Sequence, residues 1–199
     1  MSIRSRSIAW AVALALTALA CRPTALEPVA PAQARHLSDA EAAEYLLASA
    51  RAGDLELAQA LVEAGASLEA RTDRGYSPLI LAAYHGHREL VGYFADVGVD
   101  PCGSDDAGNT ALMGAVFKGH AVVARDLIDR GCDVNQENVA GRTALMFAAL
   151  VGRGELIREL EARGAAREHR DRDGRTAADW AATQGTTLPR LDRPGPAAN

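Results

Sequence analysis

His85, His87 and His120 are the residues of this chain best suited to chemistry at neutral pH. Imidazoles bind metals and shuttle protons near pH 7. A metal-binding or hydrolytic protein that uses these three histidines is therefore one reading of the sequence. A metal site needs three or four converging ligands, however, and His87 and His120 lie 33 residues apart. Two cysteines, Cys102 and Cys132, are 30 residues apart and could form a disulfide or sit as buried free thiols. No Ser/His/Asp constellation, phosphate-cradling loop or paired-carboxylate motif accompanies them. The carboxylates fall mostly at turn and exposed-helix positions, the pattern of a solvated face. Neither a cofactor nor a metal is expected.

What positions these residues is a repeat. Gly75, Gly108, Gly141 and Gly174 are spaced by 33, as are Gly53, Gly86, Gly119, Gly152 and Gly185, and Gly65, Gly98, Gly131 and Gly164. Three glycine ladders keep one period without an insertion, which is the signature of a repeat architecture. One unit can be read from Thr72 to Ser104. Gly75 supplies a turn with positive φ. Ser77 caps a helix that Pro78 opens, where a missing N–H costs nothing. Thr110, Thr143 and Thr176 take the same cap position in the following units. The first helix runs to about His85 and stops at Gly86; a second runs from about His87 to Val97 and stops at Gly98. The second helices carry an apolar stripe: Leu57, Ala58 and Leu61; Leu90, Val91 and Phe94; Val123, Ala124 and Leu127; Leu156, Ile157 and Leu160. One helix pair cannot bury such a stripe, but stacked neighbours can, so the expected fold is an all-α repeat solenoid.

Composition agrees. Apolar residues are 48% and charged residues 24%, which suits a soluble globular chain. Aromatics are only 5%, which favours helices packed through Ala and Leu. The net charge of -5 and the pI near 5.5 argue against nucleic acid as a partner.

The segments Gly75 to Ala83 (GYSPLILAA) and Gly141 to Ala149 (GRTALMFAA) resemble the opening of an ankyrin repeat, and Gly131 to Asn135 (GCDVN) resembles its close. The resemblance covers 37–185, about five units. It implies helix pairs with projecting β-turn fingers, a monomer, and a protein partner bound through the fingers and the exposed edge of the first helices. It also assigns His87 and His120 to the family's structural Gly-His position, whereas His85 takes an exposed, variable slot. Cys132 fills a small-residue slot held by Ala66 and Ala165 in other units, so a buried free thiol is the expectation. Two departures stand out. Ile80, Met113 and Met146 replace the family's histidine, so apolar packing must replace its hydrogen bonds. Cys102 stands where Asn135 stands one unit later, so the finger before Asp105 is expected to be less ordered.

The ends differ from the repeats. Arg4 and Arg6 precede an uncharged, Ala/Leu-rich run from Ile8 to Ala20, too short for a membrane span and suited to a signal-peptide core. Ala18-x-Ala20 fits an ordinary signal-peptidase site. The same residues followed by Cys21 resemble a bacterial lipobox, with Ala18 in place of the usual Leu, and lipidation of Cys21 is the preferred reading. The expected organisation is a signal peptide over 1–20, a Pro/Ala-rich tether over 21–36 that builds no core, the repeat domain over 37–185, and a disordered tail over 186–199. The chain would then face the periplasm, anchored to the outer membrane only through Cys21, or soluble there if unlipidated. Ser38 to Glu41 reads as a capping box at the first helix.

By period, the finger positions are Arg74 and Tyr76, Ala107 and Asn109, and Ala140 and Arg142. The first-helix positions before the stopping glycine are Tyr84 and His85, Phe117 and Lys118, and Leu150 and Val151. Tyr84, Phe117 and Leu150 form one column, expected to be an exposed apolar stripe rimmed by Tyr76 and Arg142. The functional expectation is a non-enzymatic adaptor or inhibitor in the bacterial envelope, similar to envelope ankyrins that serve in stress protection or neutralise a toxic enzyme.

Overall fold

A computed structural model of the protein describes residues 31–188. The signal-peptide and Cys21 assignments lie outside the described residues, as do residues 189–199.

A short 3-10 helix, Pro31–His36, is followed by helices α1 (Asp39–Ala52), α2 (Leu55–Glu63), α3 (Pro78–His85), α4 (Arg88–Asp96), α5 (Ala111–Lys118), α6 (Ala121–Asp129), α7 (Ala144–Leu150), α8 (Gly154–Ala162) and α9 (Ala177–Ala182). The helices pair as α1 with α2, α3 with α4, α5 with α6 and α7 with α8. The odd-numbered members stack in sequence from α1 to α9. The result is an all-α repeat solenoid of four pairs closed by a single helix.

The caps explain where the helices begin. Ser38 and Glu41 form the expected capping box, with Ser38 N donating to Glu41 Oε2 at 2.9 Å. Ser77 and Thr110 accept from the backbone N–H three residues on. Thr143 holds the same position without a side-chain cap bond. Its own carbonyl instead accepts from both Met146 N and Phe147 N. That helix also ends one residue early, at Leu150, before its glycine is reached.

The whole apolar stripe of the second helices is buried. Ile80, Met113 and Met146 are buried as well, so apolar packing does stand where the family carries a histidine. On the outer surface, arginines pair with carboxylates of the neighbouring repeat: Arg130 with Asp96 at 2.9 Å, Arg163 with Asp129 at 2.6 Å, and Arg88 with Asp126.

Each finger is built on a side chain that folds the turn around itself, again with a period of 33: Thr72, Asp105, Asn138 and Asp171. Each accepts from the backbone N–H groups two and four residues on, as in Asp105 Oδ1 with Ala107 N at 2.9 Å and Asn109 N at 2.8 Å. Neighbouring fingers join through backbone bonds: Asp106 N to Arg74 O, Val139 N to Ala107 O, and Arg172 N to Ala140 O.

Three expectations are corrected. Cys102 and Cys132 form a disulfide, so Cys132 is not a free thiol and the finger is not loosened. The geometry gives the reason. Asn135 clamps the next unit by donating to Gly164 O and accepting from Ala166 N. One repeat earlier, the counterparts of those groups flank Cys132, so the Cys102 bond replaces the asparagine clamp with a covalent one. Second, the end of the tether folds onto the stack: the 3-10 helix packs against α2 and Ala34 is buried. Third, the tail does not leave the fold at Thr186. Its N–H and hydroxyl donate to Ala181 O, and Leu188 packs against the core.

Candidate functional site

A groove of 390 Å³ lies between two fingers and the inner helices α3, α5 and α7. Arg74, Tyr76, Asp105 and Asn109 come from the finger side. Ile80, Tyr84 and His85 come from α3, Met113, Gly114 and Phe117 from α5, and Phe147 from α7. Tyr84 and Phe117 are each 37% exposed, and they are the only aromatics among the exposed large hydrophobic residues described.

Six of the ten residues proposed from the sequence line this groove: Arg74, Tyr76, Tyr84, His85, Asn109 and Phe117. Lys118 adjoins it, with Nζ 5.1 Å from the centre of the Tyr84 ring. Arg142 sits elsewhere. Its guanidinium lies 4.6 Å from the Trp180 ring, which Arg175 also meets at 4.1 Å, and Trp180 Nε1 donates to Asp171 at 3.0 Å. Arg142 thus helps to close the end of the stack. Leu150, the last residue of α7, and Val151 after it are half-buried and do not line the groove. Asn109 is a strut as much as a contact: Nδ2 donates to Asp105 Oδ2 at 3.0 Å, and Oδ1 accepts from Asn138 Nδ2 at 2.7 Å.

Phe147 takes the place intended for Leu150. Its ring meets that of Phe117 edge-on, with centroids 6.2 Å apart. Sequence reasoning missed Phe147, Met113 and Gly114. A signal existed, because Leu81, Gly114 and Phe147 form a column of period 33 in which the middle member has no side chain.

The histidines do not converge. His87 Nε2 lies 2.9 Å from Arg51 O and His120 Nε2 lies 3.2 Å from Tyr84 O, each ring bridging to the preceding repeat. Gly86 is fixed by this arrangement: its φ is 83°, and a Cβ there would come within 2.6 Å of the His120 ring. Arg153 occupies the same slot against Gly119. His85 is exposed, beside Tyr84 at 5.3 Å and stacked on His87 at 6.1 Å between ring centroids. Burial, followed by the charges of His87, Lys118, Arg51 and His120, holds its pKa below the usual histidine value. Among the described residues, no group of three or more His, Cys, Asp or Glu side chains could hold a metal ion.

The arrangement offers a preformed apolar groove with exposed aromatic walls, which suits the docking of another protein's side chains. Comparison with known proteins agrees with the geometry. The family described as ankyrin repeats in three copies matches residues 45–138 and 124–188. No curated protein matches the chain. The stacked helix pairs, the linked fingers and this match, which spans most of the chain, together show that it belongs to the ankyrin-repeat family and is a protein-interaction module.

Proposed function

We propose that this protein works in the bacterial envelope, where it binds a partner protein in the groove between Tyr76, Tyr84, Phe117 and Phe147 and acts as an adaptor or inhibitor. The observation that carries the reading is the groove itself. Tyr84 and Phe117 are the aromatics among the exposed large hydrophobic residues described, and exposed aromatics beside a cavity are the usual anchors of a protein interface. An inhibitory or adaptor role in stress protection or against a toxic enzyme requires no catalytic residue, only a rigid binding face.

Export is part of the proposal. The run from Ile8 to Ala20 and Cys21 support it, as does the disulfide between Cys102 and Cys132, which suits an oxidising compartment such as the periplasm. None of the described helices is long and apolar enough to cross a membrane, and the anchor we propose is lipid on Cys21.

Affinity for a partner captured from envelope extract tests the groove. Phe117→Ala should weaken binding by roughly tenfold or more, since aromatic anchors commonly carry ~2 kcal/mol. Its side chain is outside the shared core, so the thermal midpoint should hardly move. Arg158→Ala, exposed on an outer helix, should bind as the parent does. The opposite pattern would put the binding face on the other side of the stack.

A further inference from the structure

Gly114 is the one groove residue that neither backbone nor packing explains. It lies inside α5, where its φ is not in the positive region. Glycine is a poor residue for a helix interior. A Cβ built there would meet nothing closer than Tyr84 Cδ2 at 3.6 Å, an ordinary contact. The repeat places Leu81 and Phe147 at the equivalent positions on either side. The missing side chain therefore leaves a notch among Tyr84, Met113, Phe117 and Phe147, and its effect is to keep that notch open.

The charge that edges the notch is positive, although the chain as a whole carries a net charge of -5. On the outer face, Arg88, Arg125, Arg130 and Arg163 are each paired with a carboxylate of a neighbouring repeat. Arg51, Arg74 and Lys118, like Arg158 on α8, form no ion pair with any described residue. Arg74 lines the groove, Lys118 lies over Tyr84, and His85 stands between Tyr84 and His87. The only carboxylate that lines the groove, Asp105, is buried and taken up by Ala107 N, Asn109 N and Asn109 Nδ2. Asp73 and Asp106, on the fingers, do not line it. An apolar notch is thus edged by cations whose counter-charges are not supplied from within.

Resting on the reading of this groove as the binding site, we propose that its occupant is an extended acidic segment of the partner protein, which seats one bulky apolar side chain in the notch at Gly114. The carboxylates that flank the apolar residue then meet Arg74 and Lys118. Complementary charge of this kind chiefly sets the rate of encounter and the choice of partner, while the apolar anchor supplies most of the affinity.

The test uses the full chain and synthetic fluorescent peptides followed by anisotropy. The first peptide carries one phenylalanine between runs of glutamate. The second has lysine in place of glutamate, and the third has glycine in place of phenylalanine. The first should bind, more weakly as salt is raised, and each of the others should bind roughly tenfold or more less tightly. Gly114→Leu fills the notch and should abolish binding of the first peptide. Should that variant fold poorly, Gly114→Ala adds only a methyl group; it should raise the thermal midpoint and still weaken the peptide severalfold. Lys118→Glu combined with Arg74→Glu should turn the preference toward the lysine peptide. Equal binding of the lysine peptide overturns the acidic assignment, and equal binding of the glycine peptide overturns the notch. If no peptide binds, or if light scattering shows a dimer that Gly114→Leu dissolves, the occupant has been misassigned. In that case the effect of Phe117→Ala on the captured partner still decides separately whether the groove is the binding site.

Discussion

His85 shows how a single side chain senses the groove. Its pKa is held below the ordinary value of about 6.5 by burial and by the neighbouring charges of His87, Lys118, Arg51 and His120. The folded state therefore resists protonating it more than the unfolded chain does. Its contribution to stability is fully present above the unfolded pKa and is lost as pH falls through that value toward the folded one. His85→Gln removes this dependence, so the thermal midpoint of the variant should fall less than the parent's between neutral pH and mild acid. An identical fall in both proteins would mean that His85 does not feel its neighbours. Asp171 acts in the same sense, but in a more acid range. Burial pushes its carboxyl up, but hydrogen bonds from Arg175 N and Trp180 Nε1 and the Arg175 charge outweigh it, so its pKa is lowered and its support for the last unit fails only in stronger acid.

The helix pair is the element whose stability matters most. Leu127 on α6 is fully buried where two neighbouring units meet. Leu127→Ala should cost ~2–5 kcal/mol in denaturant unfolding, as buried leucines do. A loss below ~1 kcal/mol would mean that the stripe of the second helices is not core. The finger is the other element, and here the covalent link is decisive. The Cys102–Cys132 bond closes a segment with a sequence separation of 30. Cys102→Ser should lower stability by about 3–4 kcal/mol, the scale expected for a loop of that size, and reduction of the parent should produce a similar loss. No change on reduction would show that the clamp at this unit is held by packing alone. Asn135 performs the same task one unit later with two hydrogen bonds, so Cys102→Asn should recover part of what Cys102→Ser loses.

The described residues form a short stack in which each unit packs mainly against its neighbours, so the two ends of the stack need closing. The 3-10 helix covers one end through Ala34, and Trp180 covers the other between Arg142 and Arg175. Arg88, Arg130 and Arg163 on the outer helices pair with carboxylates of neighbouring units, whereas Arg74 and Lys118 beside the groove form no ion pair with any described residue. Our proposal for the whole protein adds a lipid anchor at Cys21. Mass spectrometry of the mature N-terminus should find a diacylglyceryl-modified Cys21, and Cys21→Ser should move the protein from the membrane fraction to the soluble one. An unmodified N-terminal Cys21 would leave a soluble periplasmic protein, and an intact Met1 would rule out export by this route.

The sequence by itself determined the period, the helix pairs, their caps at Ser38, Ser77 and Thr110, and the burial of the second-helix stripe. These depend on local rules of glycine, capping and helical spacing that repeat every 33 residues. It also brought Tyr84 and Phe117 to one face, because positions one period apart recur on the same side of consecutive units. Tertiary structure decided the rest. Phe147 and not Leu150 lines the groove, a choice made by how α5 and α7 face each other, with the Phe117 and Phe147 rings edge to face. Arg142 turned from the groove to Trp180 because the last unit offered it an aromatic face and a carboxylate. Cys102 met Cys132 because the finger of one unit reaches the loop of the next, a distance set by stacking and not by spacing along the chain. The notch at Gly114 exists only where α3, α5 and α7 stand side by side, since an absent side chain has meaning only once its neighbours are in place.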